Sequence, residues 1–163
     1  MKATTLTLLL LALLSTAALS QSGTYNSGNS DLDSDLSSID VEASANFGAF
    51  RLEMGTTYNL SERRIDELHT SLRMRPGEIY FALELSRITA KPIDEVIRVY
   101  KANRTKGWGA IAKELGIKPG SKEFHALKER VKKHAGKGNK HNNKGKGKRK
   151  YFLTIFFSPF PYC

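Results

Sequence analysis

The stretch from Gly107 to Lys128, "GWGAIAKELGIKPGSKEFHALK", has the order of a DNA-reading helix-turn-helix: a short helix, a glycine turn and a second helix. In such a reader the second helix enters the major groove, so its outward residues decide the chemistry. Here they are Lys122, Glu123, His125, Lys128 and Glu129. Two carboxylates on a surface that must approach phosphates would be repelled. Lys118, Pro119 and Gly120 also lengthen the turn. The simpler reading is packing, with Trp108, Ile111, Leu115, Phe124 and Leu127 as core anchors on the inner faces of two short helices.

Other residue types could also do chemistry. Asp31, Asp33 and Asp35 are spaced like the first ligands of a calcium loop, and Glu42 falls at the twelfth position. Leu36 stands where that loop needs glycine for its sharp turn, and no helical pattern precedes Asp31. A solvated acidic linker accounts for the run more simply. The chain has no Gly-x-Ser-x-Gly, no phosphate-cradling glycine loop after a strand and no His-Glu-x-x-His. His69 and His125 are lone histidines, and Glu84 lies on the most apolar helical pattern, where pairing with an arginine such as Arg87 accounts for it. His134 and His141 sit on a cationic segment that suits metal binding poorly. The expectation is a non-enzyme with no cofactor, no metal site and no small-molecule substrate.

The most pronounced chemical feature is charge. The net charge is +10, and residues 132–150 hold nine cations with no acid: Lys132, Lys133, Lys137, Lys140, Lys144, Lys146, Lys148, Arg149 and Lys150. Gly, Asn and His separate them, and no aromatic residue lies among them. Such a tail cannot stack on bases. It can attract a polyanion (nucleic acid, anionic lipid or acidic polysaccharide) through contacts that weaken with salt. A merely solubilising tail is the bland alternative. The last residues, "YFLTIFFSPFPYC", carry six aromatics in thirteen positions. After a polybasic run they could enter a membrane interface, giving surface contact through residues 132–163. A shifted reading frame running past the usual end would explain the same abrupt change of composition.

These features need elements to position them. Met1 to Ser20 has the positive start, apolar run and small residues of a secretory leader, with cleavage expected before Gln21. Export to the periplasm or outside the cell follows. Cys163 is the only cysteine, so packing rather than an intramolecular disulfide must hold the fold. Residues 21–45 are rich in Ser, Asn, Gly and Asp and read as a disordered acidic linker. Weak alternation through Ile39, Val41, Ala43, Ala45 and Phe47, then Phe50, Leu52 and Met54, predicts a short β-hairpin or an extended segment on the helices. From Ser61 to Val131 the apolar period is helical. The predicted class is mainly α: a compact bundle of about five short helices over residues 46–131, followed by a disordered Lys/Gly-rich tail at 132–150 and an aromatic extension at 151–163.

The segments "ANFGAFRLEMGTTYNLSERRIDEL" and "GEIYFALELSRITAKPIDEVIRVYKANRTKGWGAIAKELGIKPGSKEFHALK" resemble a group of small exported bacterial proteins of unknown function. The resemblance lies in a leader, a Gly-Trp-Gly-x-Ile-Ala-Lys-x-Leu-Gly-Ile-Lys-Pro-Gly-Ser run and a Lys/Gly-rich tail. It covers about Ala45 to Lys128 and implies membership, not mechanism. The aromatic end departs from the pattern, since such proteins usually stop in the basic tail.

Overall fold

The computed structural model describes residues 25–144 and, for side chains, residues 25–137. The expected leader, residues 21–24 of the expected linker, Gly145 to Lys150 of the tail and the aromatic extension lie outside the described residues. Seven helices make up the described fold: α1 (Ser30–Ala45), α2 (Phe47–Tyr58), α3 (Glu62–Thr70), α4 (Pro76–Thr89), α5 (Ile93–Asn103), α6 (Trp108–Glu114) and α7 (Lys122–Lys144). The chain is mainly helical, and no strand occurs among the described residues. None of the described helices is long and apolar enough to cross a membrane.

α4 is the hub. Its buried residues run from Pro76 to Leu85 around most of the circumference, and α1, α2, α3, α5 and α7 all pack against it. The apolar pattern of the sequence indicates this central place. The start of α4 is fixed by acids from two sides. Glu78 Oε2 accepts the Arg75 N–H at 2.9 Å, and Asp40 Oδ1 accepts the Gly77 N–H at 2.8 Å. Both satisfy donors that a helix start leaves without intrahelical partners.

From Ser30 to Ala45 the expected disordered linker is corrected to α1. Leu32, Leu36, Ile39 and Ala43 fall at helical spacing and are buried, while Ser and Asp cover the other faces. Asn29 caps the helix, its side chain accepting the Leu32 N–H at 3.0 Å. Asp31 and Asp33 belong to the first turn, where carboxylates suit the helix dipole. Low average hydrophobicity concealed a narrow, continuous apolar stripe. Three fully buried aliphatic side chains contribute roughly 1.5–3 kcal/mol each, enough to offset part of the cost of ordering.

The expected hairpin is likewise corrected to helix. Ile39 and Ala43 are buried but Val41, between them, is 75 % exposed. Phe50 and Met54 are buried while Leu52 is 58 % exposed. A strand would place all members of each alternating set on one face; a spacing of four on a helix selects every second one. With α1 and α2 added, the bundle has more than the expected five helices.

The basic tail is corrected in part, because α7 continues past Val131 to Lys144. The helix-turn-helix-like stretch forms α6, a turn and the start of α7. α6 packs on α5, whereas α7 packs on α1 and α4. Trp108, Ile111, Leu115 and Leu127 are buried and Phe124 is partly buried against the core. The Trp108 ring lies 5.1 Å from Tyr100 and 5.2 Å from Phe81, and its Nε1–H reaches Glu78 Oε1 at 3.3 Å.

The glycines around Trp108 have a tertiary cause. The segment Tyr25–Ser27 crosses the start of α6, with the Trp108 N–H donating to Tyr25 O at 3.0 Å and the Gly109 N–H to Asn26 O at 2.9 Å. A Cβ on Gly109 would lie 2.8 Å from Ser27 O, and Gly107 holds φ +85° against Asn26. Tyr25 itself is buried, and its hydroxyl donates to Asp40 Oδ2 at 2.7 Å. The N-terminal segment thereby joins α1, α4 and α6.

Candidate functional site

α7 has two opposed faces. Leu127, Val131 and Ala135 recur every four residues and are buried. On the outer side Arg130, Lys133 and Lys137 follow at spacings of three and four. Arg130 and Lys137 side chains are 45 % and 62 % exposed, and Lys133 is exposed. The same alternation of three and four carries the helical register on to Lys140 and Lys144, the end of α7. Residues three and four apart are neighbours on a helix, so five basic positions share one stripe. At 1.5 Å per residue the stripe extends roughly 20 Å.

The other predicted tail residues divide differently. Lys132 is exposed but points to the opposite flank, where it and Lys128 line a cavity of about 330 Å³ with Asp31 and Asp35 of α1. Burial holds the Asp35 carboxyl above the ordinary carboxylate range, against the opposing pull of Lys132. Lys146, Lys148, Arg149 and Lys150 lie outside the described residues.

At the foot of the stripe a cleft of about 170 Å³ opens between α2, α4 and α7. Its floor is Glu84, only 2 % exposed on the most buried helix. Burying a carboxylate is costly unless it is paired and hydrogen-bonded. Glu84 has both. The Tyr58 hydroxyl donates to Oε1 at 2.6 Å, and Arg87 Nη2 donates to both oxygens at 3.2 Å. Arg130 Nη1 approaches Oε1 at 3.7 Å from α7. The Tyr80 hydroxyl lies 3.3 Å from Oε1 and 3.2 Å from Arg130 O, two acceptors for one hydrogen. Burial, above all, raises both tyrosine hydroxyls, so they stay protonated donors. The pairing of Glu84 with Arg87 matches the sequence expectation; the tyrosines and Arg130 were not anticipated.

His134 forms one wall. Its ring stacks on Tyr80 with centroids 4.2 Å apart, and Nδ1 lies 3.8 Å from Glu53 Oε1. Burial pushes its pKa down and Lys137 adds to that, against the opposing pull of Glu53. The ring is therefore neutral at pH 7. Sequence reasoning had left His134 in a disordered tail; its three-residue offset from Val131 was the available signal.

The chain matches no family model, no curated protein and no solved structure. His69 and Glu84 line separate cavities. The His69 ring stacks on Phe47, and its Nδ1–H donates to Met74 O at 2.9 Å, so it ties α2 to the α3–α4 turn. No group of three or more His, Cys, Asp or Glu side chains suited to a metal ion occurs among the described residues. Asp31, Asp33 and Asp35 sit on α1, with Asp33 Oδ1 accepting the Ser27 N–H at 3.1 Å.

Proposed function

We propose that the chain is a non-catalytic, exported helical module that binds an anionic polymer along the outer face of α7 and the basic residues beyond it. The observation that carries this reading is the stripe Arg130, Lys133, Lys137, Lys140 and Lys144 on one helix face. A helix spaces its charges regularly and loses little further entropy on binding, which favours it over a flexible tail of the same composition. Partners of this chemistry are an envelope surface, an acidic polysaccharide or a nucleic acid. Anionic lipid would add membrane-surface contact through residues 132–163. The leader-like residues Met1 to Ser20 and the resemblance to small exported proteins support export.

The alternative, a DNA-binding protein using residues 107–131, requires sequence preference. The outer side of α7 there offers Glu123 and Glu129 beside Lys122 and His125, all exposed. Binding of the full chain to two duplexes of unrelated sequence distinguishes the readings. Equal affinities, lost when Lys137, Lys140, Lys144, Lys146, Lys148, Arg149 and Lys150 are changed to glutamine, support the polyanion reading. A clear preference that survives those changes and falls with Lys122→Glu and Lys128→Glu supports the alternative. Substitution is the proper test, because truncating at Lys132 would also remove the buried Ala135 and the His134 wall.

A further inference from the structure

We infer that the cleft between α2, α4 and α7 binds a single phosphate group, and so makes the module select phosphate-bearing polymers among the polyanions α7 attracts. The selection rests on the polyanion reading; the phosphate site does not. Arg87 of α4 and Arg130 of α7 reach the same oxygen of Glu84 from two helices. That carboxylate is already engaged by Tyr58 and by both contacts to Arg87. The guanidiniums are not. Arg87 donates to Glu84 through Nη2, Arg130 approaches it through Nη1 at 3.7 Å, and their side chains are 40 % and 45 % exposed. Each guanidinium has five N–H donors, more than the contacts to Glu84 take up, and both side chains line the cleft.

Lys133 lies one turn beyond Arg130, is exposed, and has no acidic partner within 4.0 Å among the described residues. Lys137 faces Glu53 at 3.8 Å. The lining thus sets four cations against two carboxylates, with a neutral His134, and the uncompensated charge belongs to Arg87, Arg130 and Lys133. Glu84 acts here as a positioning residue that draws two like-charged guanidiniums together.

The shape of this donor set argues for phosphate. A carboxylate is satisfied in plane by one guanidinium edge. Donors from two separate guanidinium planes and one ammonium, arriving from two helices, suit a tetrahedral oxyanion. The cavity of about 170 Å³ is below the roughly 300 Å³ at which pockets begin to hold drug-sized ligands. It is large enough for an oxyanion, with the rest of a polymer lying outside the cleft. Lys140 and Lys144 occupy later positions of the same helical register.

The test compares inorganic phosphate, linear polyphosphate and polyglutamate of matched charge at one ionic strength. It uses the full chain, the Lys133→Gln variant and the Arg130→Gln/Lys133→Gln variant, each checked for an unchanged melting temperature. The expected result is a preference of the unaltered chain for polyphosphate over polyglutamate of about tenfold, the worth of one charge-assisted hydrogen bond. Lys133→Gln should reduce it and the double variant should abolish it. Equal affinity for the two polymers, or a preference kept by the double variant, overturns the phosphate site and leaves the polyanion reading standing. Inorganic phosphate that shifts the Arg87 and Arg130 Nε–H resonances in a chain binding neither polymer supports the site and overturns that reading. No response to phosphate and no binding of either polymer overturns both.

Discussion

α1 and the distal half of α7 are two polar segments that read alike in sequence and differ in the molecule. Both lack an apolar run and are rich in charge, and both are helical. α1 carries four buried residues at helical spacing along its whole length and lies between α4 and α7. In α7 Ala135 is the last buried residue among the described side chains, and beyond it the sequence turns to Gly, Asn, His and Lys. Average composition does not distinguish a helix docked on the core from one that runs on past it. An unbroken apolar stripe does, because a narrow face is enough to dock a helix on a neighbour that is apolar all round.

That contrast can be broken at α1 with the largest effect. Leu36→Ala should cost about 2–5 kcal/mol through lost transfer and a residual cavity, read as a fall in the urea midpoint at unchanged slope. A loss below 1 kcal/mol would mean α1 is not part of the core. Gly77→Ala attacks the same contact from α4. Its Cβ would lie 2.5 Å from Leu36 O and would overlap the Tyr25 hydroxyl, so α1 must move. The expected cost is about 1–3 kcal/mol, by the same measurement.

pH probes the junction between the two regions. The unfolded reference for His134 is 6.5 and its folded pKa is lower, so the unfolded chain binds the proton more readily. This contribution is fully present above pH 6.5 and is lost as pH falls through the folded value. Urea midpoints at pH 7.5 and pH 5 should differ, and less so in His134→Gln. An equal difference in both proteins would remove His134 as a source. The smallest effect belongs to distal α7. A Cβ at Gly136 meets nothing within 4 Å, so Gly136→Ala should add up to about 1 kcal/mol of local helix stability. Circular dichroism should show more helix with little change in the midpoint, whereas a strongly raised midpoint would mean distal α7 belongs to the core.

How much was legible follows from the same distinction. The stripe Trp108, Ile111 and Leu115, the Gly116 turn with φ +99° and buried Ile117, and the central place of α4 were all visible as local pattern. The pairing of Glu84 with Arg87 was visible because the two are three residues apart on a helix. The start of α1 was missed because its Ser/Asp-rich composition read as a linker, and its end and α2 because buried residues four apart also satisfy an alternating count. Without their exposure the alternation suggested a strand. Gly107 and Gly109 could not be explained locally, since what they accommodate is Tyr25–Ser27, remote in sequence. The cleft drew on the same kind of separation, with Tyr58, Glu84 and Arg130 arriving from three helices. The basic stripe was legible in principle, but a segment taken as disordered has no register in which to look for it.

The most direct test of polyanion binding through α7 is the salt dependence of affinity for duplex DNA of arbitrary sequence. Each neutralised phosphate contributes about 0.9 to the slope of log K against log salt. Five stripe cations alone give a slope near −4 to −5 by that rule, steeper if the residues beyond Lys144 engage. Changing Lys137, Lys140 and Lys144 to glutamine should flatten it by about 2.7. A slope near zero, or one that these three substitutions leave unchanged, would contradict binding along the outer face of α7.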